Sequence, residues 1–131
     1  MVITEGQASF MKEHRLVVLT TLQSDWSPQS TPVYYALEDE KLLVSSTRDR
    51  IKTRNAQRDA RVNLCILDEA FPFRYVQVWG QATVTDTDLV ERSRRIYLTF
   101  RESLADDFPE QLVQQQRIII EVTPERVTPD R

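Results

Sequence analysis

The spacing of hydrophobic and polar positions changes along this chain, and each change marks an element. Between Arg74 and Thr85 the period is two: Val76, Val78, Ala82 and Val84 share one face with Gly80, while Tyr75, Gln77, Trp79, Gln81 and Thr83 share the other. Side chains alternate across a strand, so the aliphatic set is expected to face a core. Arg15 to Leu22 contains the run Leu16-Val17-Val18-Leu19, which reads as a strand covered on both faces. Ser30 to Leu37 and Lys41 to Ser46 are the next strands. The turn 23–29, with Asp25, Ser27 and Pro28, and the tight polar turn Glu38-Asp39-Glu40 separate the three into an antiparallel meander. Arg61 to Leu67 is a fourth strand, 74–85 the fifth and Arg117 to Thr123 the last, with a tail carrying Pro124 and Pro129.

Helical spacing covers Thr4 to His14, with Thr4 as cap and Phe10 and Met11 turned inward. It returns at Arg50 to Arg58, Asp88 to Phe100 and Glu110 to Gln115, while 68–73 is a loop carrying Pro72. There is no repeat or linker. About six strands with short peripheral helices predict one domain over 1–131, mainly β, of β-rich α+β or barrel class.

The polar face of 74–85 is unusual. Two large aromatics and two amides make a poor solvent surface and a good subunit interface or ligand wall, although a plain solvated face with incidental aromatics is the competing reading.

Composition then narrows the function. Gly6 and Gly80 are the only glycines, so neither a dinucleotide fingerprint nor a phosphate loop of the Walker kind is present. No apolar run approaches a membrane span, the first ten residues lack the pattern of a signal peptide, and Cys65 has no disulfide partner. A cytoplasmic protein without membrane association is expected. His14 is the single histidine, so no His/Cys metal site is expected, and Cys65 in an apolar strand reads as an inert thiol. Ser45, Ser46 and Ser93 lack a nucleophile-elbow setting, and Asp106 and Asp107 read as solvated. With no general acid or base singled out, any hard chemistry would be a cofactor's.

Charge adds one feature. The chain carries a net −3, yet 48–61 holds six basic residues (Arg48, Arg50, Lys52, Arg54, Arg58, Arg61) against Asp49 and Asp59. This island opens a helix, where free N–H groups and the dipole favour an anion. Ser46 and Thr47 add hydroxyls, Arg50 a bidentate grip and Lys52 a compact charge. A solvated basic face is the alternative. RNA binding would want interleaved aromatics, which 48–61 lacks, so nucleic acid is not the expected partner.

Four stretches in order resemble the split β-barrel flavin and deazaflavin oxidoreductases related to pyridoxamine phosphate oxidase. They are 15–22, 30–36, Leu43-Val44-Ser45-Ser46-Thr47 running into Arg50-x-Lys52-x-x-Asn55, and Arg61-Val62-Asn63-Leu64 followed by 73–80. The resemblance is nearest the short bacterial branch that uses coenzyme F-420; relatives use FMN. It implies a six-stranded antiparallel split barrel of the FMN-binding type and a homodimer with cofactor sites at the subunit interface. It also implies a hydride transfer from reduced F-420 or FMN to a small unsaturated or conjugated substrate. The cofactor phosphate would sit on Arg50 and Lys52 with Ser46 and Thr47 assisting. Pro32, Val33 and Tyr34 would flank the ring, and Gln77 and Trp79 would come from the partner subunit. Asp49 stands where relatives often have glycine, and its carboxylate opposes an anion unless it turns outward. The chain is too short for the substrate segment of true pyridoxamine phosphate oxidases, so that activity is not expected. A split barrel that holds flavin, deazaflavin or haem without turnover is the alternative.

Overall fold

A computed structural model describes residues 2–71 and 73–129; Pro72, expected in a loop, lies outside the described residues. The elements are α1 (Glu5–Glu13), β1 (Leu16–Leu22), β2 (Pro28–Glu38), β3 (Lys41–Thr47), α2 (Ile51–Arg58), β4 (Arg61–Leu67), β5 (Tyr75–Thr85), α3 (Leu89–Tyr97), α4 (Phe108–Gln114) and β6 (Arg117–Thr128). The strands close an antiparallel barrel in the order β1-β2-β3-β6-β5-β4.

Local chemistry explains the boundaries. Thr4 caps α1 through its side chain while Gln7 reaches back to the Thr4 N–H, a reciprocal capping box. The β2–β3 hairpin turns on Asp39 and Glu40, whose φ values of 48° and 65° match the right-handed strand twist. Gln116, at φ 55°, ends α4 in the left-handed region and redirects the chain into β6.

The barrel interior is filled from alternating positions: Val17 and Leu19, Val33 and Tyr35, Leu42 and Val44, Leu64 and Ile66, Val76 and Val78, Ile120 and Val122. Each such side chain contributes roughly 1.5–3 kcal/mol on burial. The β5 faces are as the alternation predicts. The run in β1 is not covered on both sides: Val17 and Leu19 are buried, whereas Leu16 and Val18 are half-buried on the outer face.

The last strand differs most from its predicted range. It continues through Pro124 to Thr128 instead of stopping at Thr123. Its first half pairs with β3, and its whole length beyond Ile119 pairs with β5, across a bulge at Trp79/Gly80 that seats Pro124 opposite Gly80. The missing proline N–H costs nothing at such an irregularity. Gly80 is required there, because a Cβ would lie 2.5 Å from the Thr123 carbonyl oxygen.

A second apolar cluster lies outside the barrel, where Ile96 and Tyr97 of α3 and Phe108 and Leu112 of α4 cover Ala36, Leu43 and Ile119. Ion pairs reinforce α3: Arg92 reaches Glu121 at 2.8 Å, Arg95 reaches Glu38 at 2.9 Å, and Lys41 meets Glu121 at 3.1 Å. Desolvation works against the Glu121 carboxylate, but hydrogen bonds from Lys41 and Arg92 outweigh it and hold its pKa below the ordinary value.

Candidate functional site

β3 and α2 meet at the end of the barrel, and successive residues there go to two different places. Ser46 follows Leu42 and Val44 inward. Thr53 Oγ1 lies 2.8 Å from Ser46 Oγ and 2.7 Å from the Thr47 carbonyl oxygen. Asn55 Nδ2 donates to Thr21 Oγ1 at 3.0 Å, and Asn55 Oδ1 accepts from Arg58 at 2.8 Å. These buried polar groups satisfy one another and plug the barrel.

The alternate residues face outward onto a cavity of about 230 Å³. Pro32, Val33 and Tyr34 of β2 and Ser45 of β3 form one wall, Lys52 and Arg117 one end, and Ile96, Tyr97, Phe100 and Arg101 the cover. Tyr34 and Phe100 stack with ring centroids 4.0 Å apart. The Arg101 guanidinium lies 5.0 Å from the Tyr97 centroid. The α3 ion pairs described above hold this cover over the sheet.

The cavity is electropositive. No carboxylate lies among its lining residues, and among the described residues none pairs with Arg50, Lys52, Arg101 or Arg117. Burial, then repulsion from Arg50 and Arg117, pushes the Lys52 pKa down. The Ser45 hydroxyl is buried on the wall without a hydrogen-bond partner among the described residues. Such a set suits a phosphate or another anion.

The sequence-predicted residues therefore divide. Pro32, Val33, Tyr34 and Lys52 come together on the cavity, although the Val33 side chain also belongs to the barrel core. Arg50 stands exposed at the N-cap of α2, outside the lining. The Ser46 hydroxyl is committed to the barrel plug, and Thr47 donates to Asp49 at 2.6 Å. That bond, with Arg50 and Arg54 nearby, keeps the exposed Asp49 carboxylate below its ordinary pKa. Gln77 and Trp79 lie on the outer face of β5, away from this cavity in the same chain; Gln77 accepts from Asn63 at 3.4 Å, and the Arg126 guanidinium sits 3.9 Å over Trp79.

Ser45, Tyr97, Phe100, Arg101 and Arg117 were missed. Strand alternation could have flagged Ser45, but nothing local marks the others. Three further residues of the basic island sit in structural pairs, Arg48 with Asp86 at 3.5 Å, Arg61 with Asp59 at 2.7 Å, and Arg58 with the Leu22 carbonyl at 3.0 Å, while Arg54 is exposed. Hydrogen bonds from Arg61 hold Asp59 down to about 2.

A larger cleft of about 770 Å³ lies between the end of α1, the β4–β5 loop and α3. Its charges are mixed, with Lys12, Arg15 and Arg95 facing Glu13, Asp68 and Glu69. His14 is 3.9 Å from Asp68 there. No cluster of metal-ligating side chains occurs among the described residues. The Cys65 thiol, half-buried, has its pKa pushed up by burial.

Residues 3–129 match the family model described as pyridoxamine 5'-phosphate oxidase. The chain belongs to this family. Its barrel is similar to that of a protein titled F420 reductase, with a TM-score of 0.78 and 23% identity over 96% of this chain and 98% of that one. It is also similar to a conserved hypothetical protein from Mycobacterium tuberculosis, at a TM-score of 0.81 and 22% identity over 97% of this chain and 84% of the other. General Stress Protein 26 of Bacillus anthracis follows at 0.66 and 18%, over 92% and 87%. At these identities the likeness is one of fold: a split barrel, mainly β, with short peripheral helices. No helix among the described residues is long and apolar enough to cross a membrane.

Proposed function

We propose that this family member is an oxidoreductase that uses coenzyme F-420 or FMN to reduce a small unsaturated or conjugated substrate. The observation that carries this reading is the cavity lined by Lys52, Arg117 and Arg101 with no carboxylate, beside Ser45 and the Pro32–Tyr34 strand. When bound, the reduced cofactor would supply the hydride. The residues present fit its anionic end. Lys52 would hold the phosphate, and Arg50 at the start of α2 would add charge from outside the lining. Pro32 and Tyr34 offer a wall for a flat ring, while Tyr97 and Phe100 exclude water. The chain's work is binding and orientation, since the titratable lining residues are cations and tyrosines.

A homodimer is part of the proposal. A cavity of about 230 Å³ is small for a complete ligand site, so a second wall is needed. Strand register supplies a candidate surface: Pro32, Val18, Cys65, Gln77 and Thr128 form one continuous outer row over β2, β1, β4, β5 and β6. Pairing two such faces would bring Gln77 and Trp79 of one subunit toward the cavity of the other.

Absorbance titration with F-420 and with FMN tests the reading. Arg50→Ala combined with Lys52→Ala is expected to weaken cofactor binding at least tenfold while the circular dichroism persists; an unchanged titration would overturn the assignment. Light scattering tests the dimer, and Trp79→Arg is expected to shift it to monomer. A non-catalytic cofactor holder is the second reading, favoured by the absence of any carboxylate or histidine from the cavity lining. Tight binding without turnover across enones and quinones would select it.

A further inference from the structure

The larger cleft and the small cavity are neighbours built on the same two elements. Along β2 the cavity takes Pro32 to Tyr34 and the cleft takes Tyr35 to Leu37. Along α3 and the turn after it, Arg95 and Thr99 face the cleft, while Ile96 and Phe100 face the cavity. Between the two spaces stand the stacked rings of Tyr34 and Phe100 and the bond from Arg15 to the Thr99 carbonyl oxygen at 3.3 Å. At about 770 Å³ the cleft has the size of a small-molecule site, which the cavity of about 230 Å³ does not.

The cleft also holds the chain's only histidine. His14 is the C-cap of α1, its ring packs on Phe10 with centroids 4.3 Å apart, and its carbonyl oxygen lies 2.7 Å from the Tyr35 hydroxyl. Its imidazole makes no hydrogen bond among the described residues, and Nε2 faces the Asp68 carboxylate at 3.9 Å. Asp68 is fixed in turn. Its Oδ1 accepts from the N–H groups of Ala70 at 2.9 Å and Phe71 at 3.1 Å, which leaves Oδ2 for Arg74 at 3.4 Å and for His14. Burial works against this carboxylate, but the N–H bonds and the charges of His14 and Arg74 outweigh it and hold its pKa below the ordinary value. A fixed carboxylate beside an imidazole orients the ring for proton transfer.

We infer that the cleft is the substrate pocket and that His14, positioned by Asp68, supplies the proton of the reduction. The inference rests on reading the small cavity as the cofactor site. A conjugated ketone or quinone of two or three rings suits the space beside Ala36 and Leu37. The substrate accepts a hydride at one end of its conjugated system, the π electrons shift, and negative charge collects on the carbonyl oxygen at the other end. The His14 N–H gives its proton to that oxygen, and water on the open side of the cleft restores it. The two electrons come from the reduced cofactor, and one proton is consumed. Transfer between the two spaces requires the Tyr34–Phe100 stack to part, because it stands between them.

A single histidine gives one set of imidazole proton NMR signals, so binding in the cleft is directly readable. α-Tetralone, a two-ring ketone, is expected to shift those signals in the wild-type chain with or without cofactor; unmoved signals at its solubility limit overturn the pocket. With F-420 or FMN bound, His14→Gln is expected to lower kcat for menadione about 100-fold, while KM and cofactor affinity change little. His14→Ala is expected to regain turnover when imidazole is added, which a structural role would not produce. Asp68→Asn is expected to lower kcat less and to gain nothing from imidazole. Undiminished turnover in His14→Gln overturns the proton role, as does loss in His14→Ala without rescue. Failure of both His14 variants to fold assigns the ring to structure and overturns that role as well. If the wild-type chain binds neither cofactor, the cofactor reading fails and the proton role with it, and shifted His14 signals then keep the cleft as a ketone site. If it binds a cofactor but reduces no ketone or quinone, the proton role falls and the cofactor reading stands.

Discussion

Two groups of polar side chains lie back to back at the β3–α2 junction and behave in opposite ways. Inside the barrel, Ser46, Thr53, Asn55 and Thr21 are buried and bonded to one another or to the backbone. Outside it, Ser45, Lys52 and Arg117 line a cavity; among the described residues Ser45 and Lys52 have no such partner, and Arg117 is bonded only through Nε, to Gln115. One position along β3 separates Ser45 from Ser46, and one along α2 separates Lys52 from Thr53. The difference teaches that residue type and position alone do not mark a site. A buried polar group with its bonds made stabilises the fold, whereas a group left without them is disposed to take a ligand.

The sharpest break of this contrast is on the inner side. Asn55→Ala removes a donor and an acceptor at once and is expected to cost about 2–3 kcal/mol in urea unfolding, with the affinity for FMN or F-420 of the remaining folded protein little changed. A large loss of affinity at unchanged stability would show that the two groups are not separable. Lys52→Met inverts the pattern. Cofactor affinity is expected to fall at least tenfold, about 1.4 kcal/mol, while the melting temperature holds or rises because repulsion with Arg117 and Arg50 is relieved. A marked fall in melting temperature would place Lys52 with the structural set. Thr53→Val, nearly isosteric, is expected to cost about 1 kcal/mol through its lost hydroxyl and to spare binding.

Titration offers a gentler probe. Lys52 is depressed in the folded, ligand-free chain, and a phosphate binds its protonated form. Affinity should therefore decline as pH rises, starting below the ordinary lysine value of 10.5. The same depression means that the folded chain releases this proton before the unfolded chain does. Its unfavourable effect on stability is thus full at low pH and is relieved as pH rises through the folded pKa. Lys52→Arg should flatten the affinity decline, because a guanidinium stays charged in that range; a decline unaltered in that variant would remove Lys52 from the site. The smallest expected effect is that of Ser45→Ala, a few-fold loss of FMN or F-420 binding with no change in stability.

Much of the barrel was legible along the chain because its signals are local. Alternation in 74–85 assigned both faces of β5, and the Thr4 cap and the β2–β3 turn depend on neighbouring residues only. Lys52, Pro32 and Tyr34 could be named as binding candidates from a local pattern and a family resemblance. Three features were decided elsewhere. Pro124 looked like the end of a strand, but a bulge opposite Gly80 accommodates it and lets β6 close the barrel. The apolar run in β1 did not reveal that its outer face would be left half-buried. Above all, the β3–β6 register brings Arg117 to Lys52, and α3, tied by Arg92 and Arg95, lays Tyr97 and Phe100 over the cavity. Periodicity determines which side chains share a face of one element. Which elements meet, and so which charges are left facing each other unpaired, is set by long-range pairing that the spacing of residues in any one element does not encode.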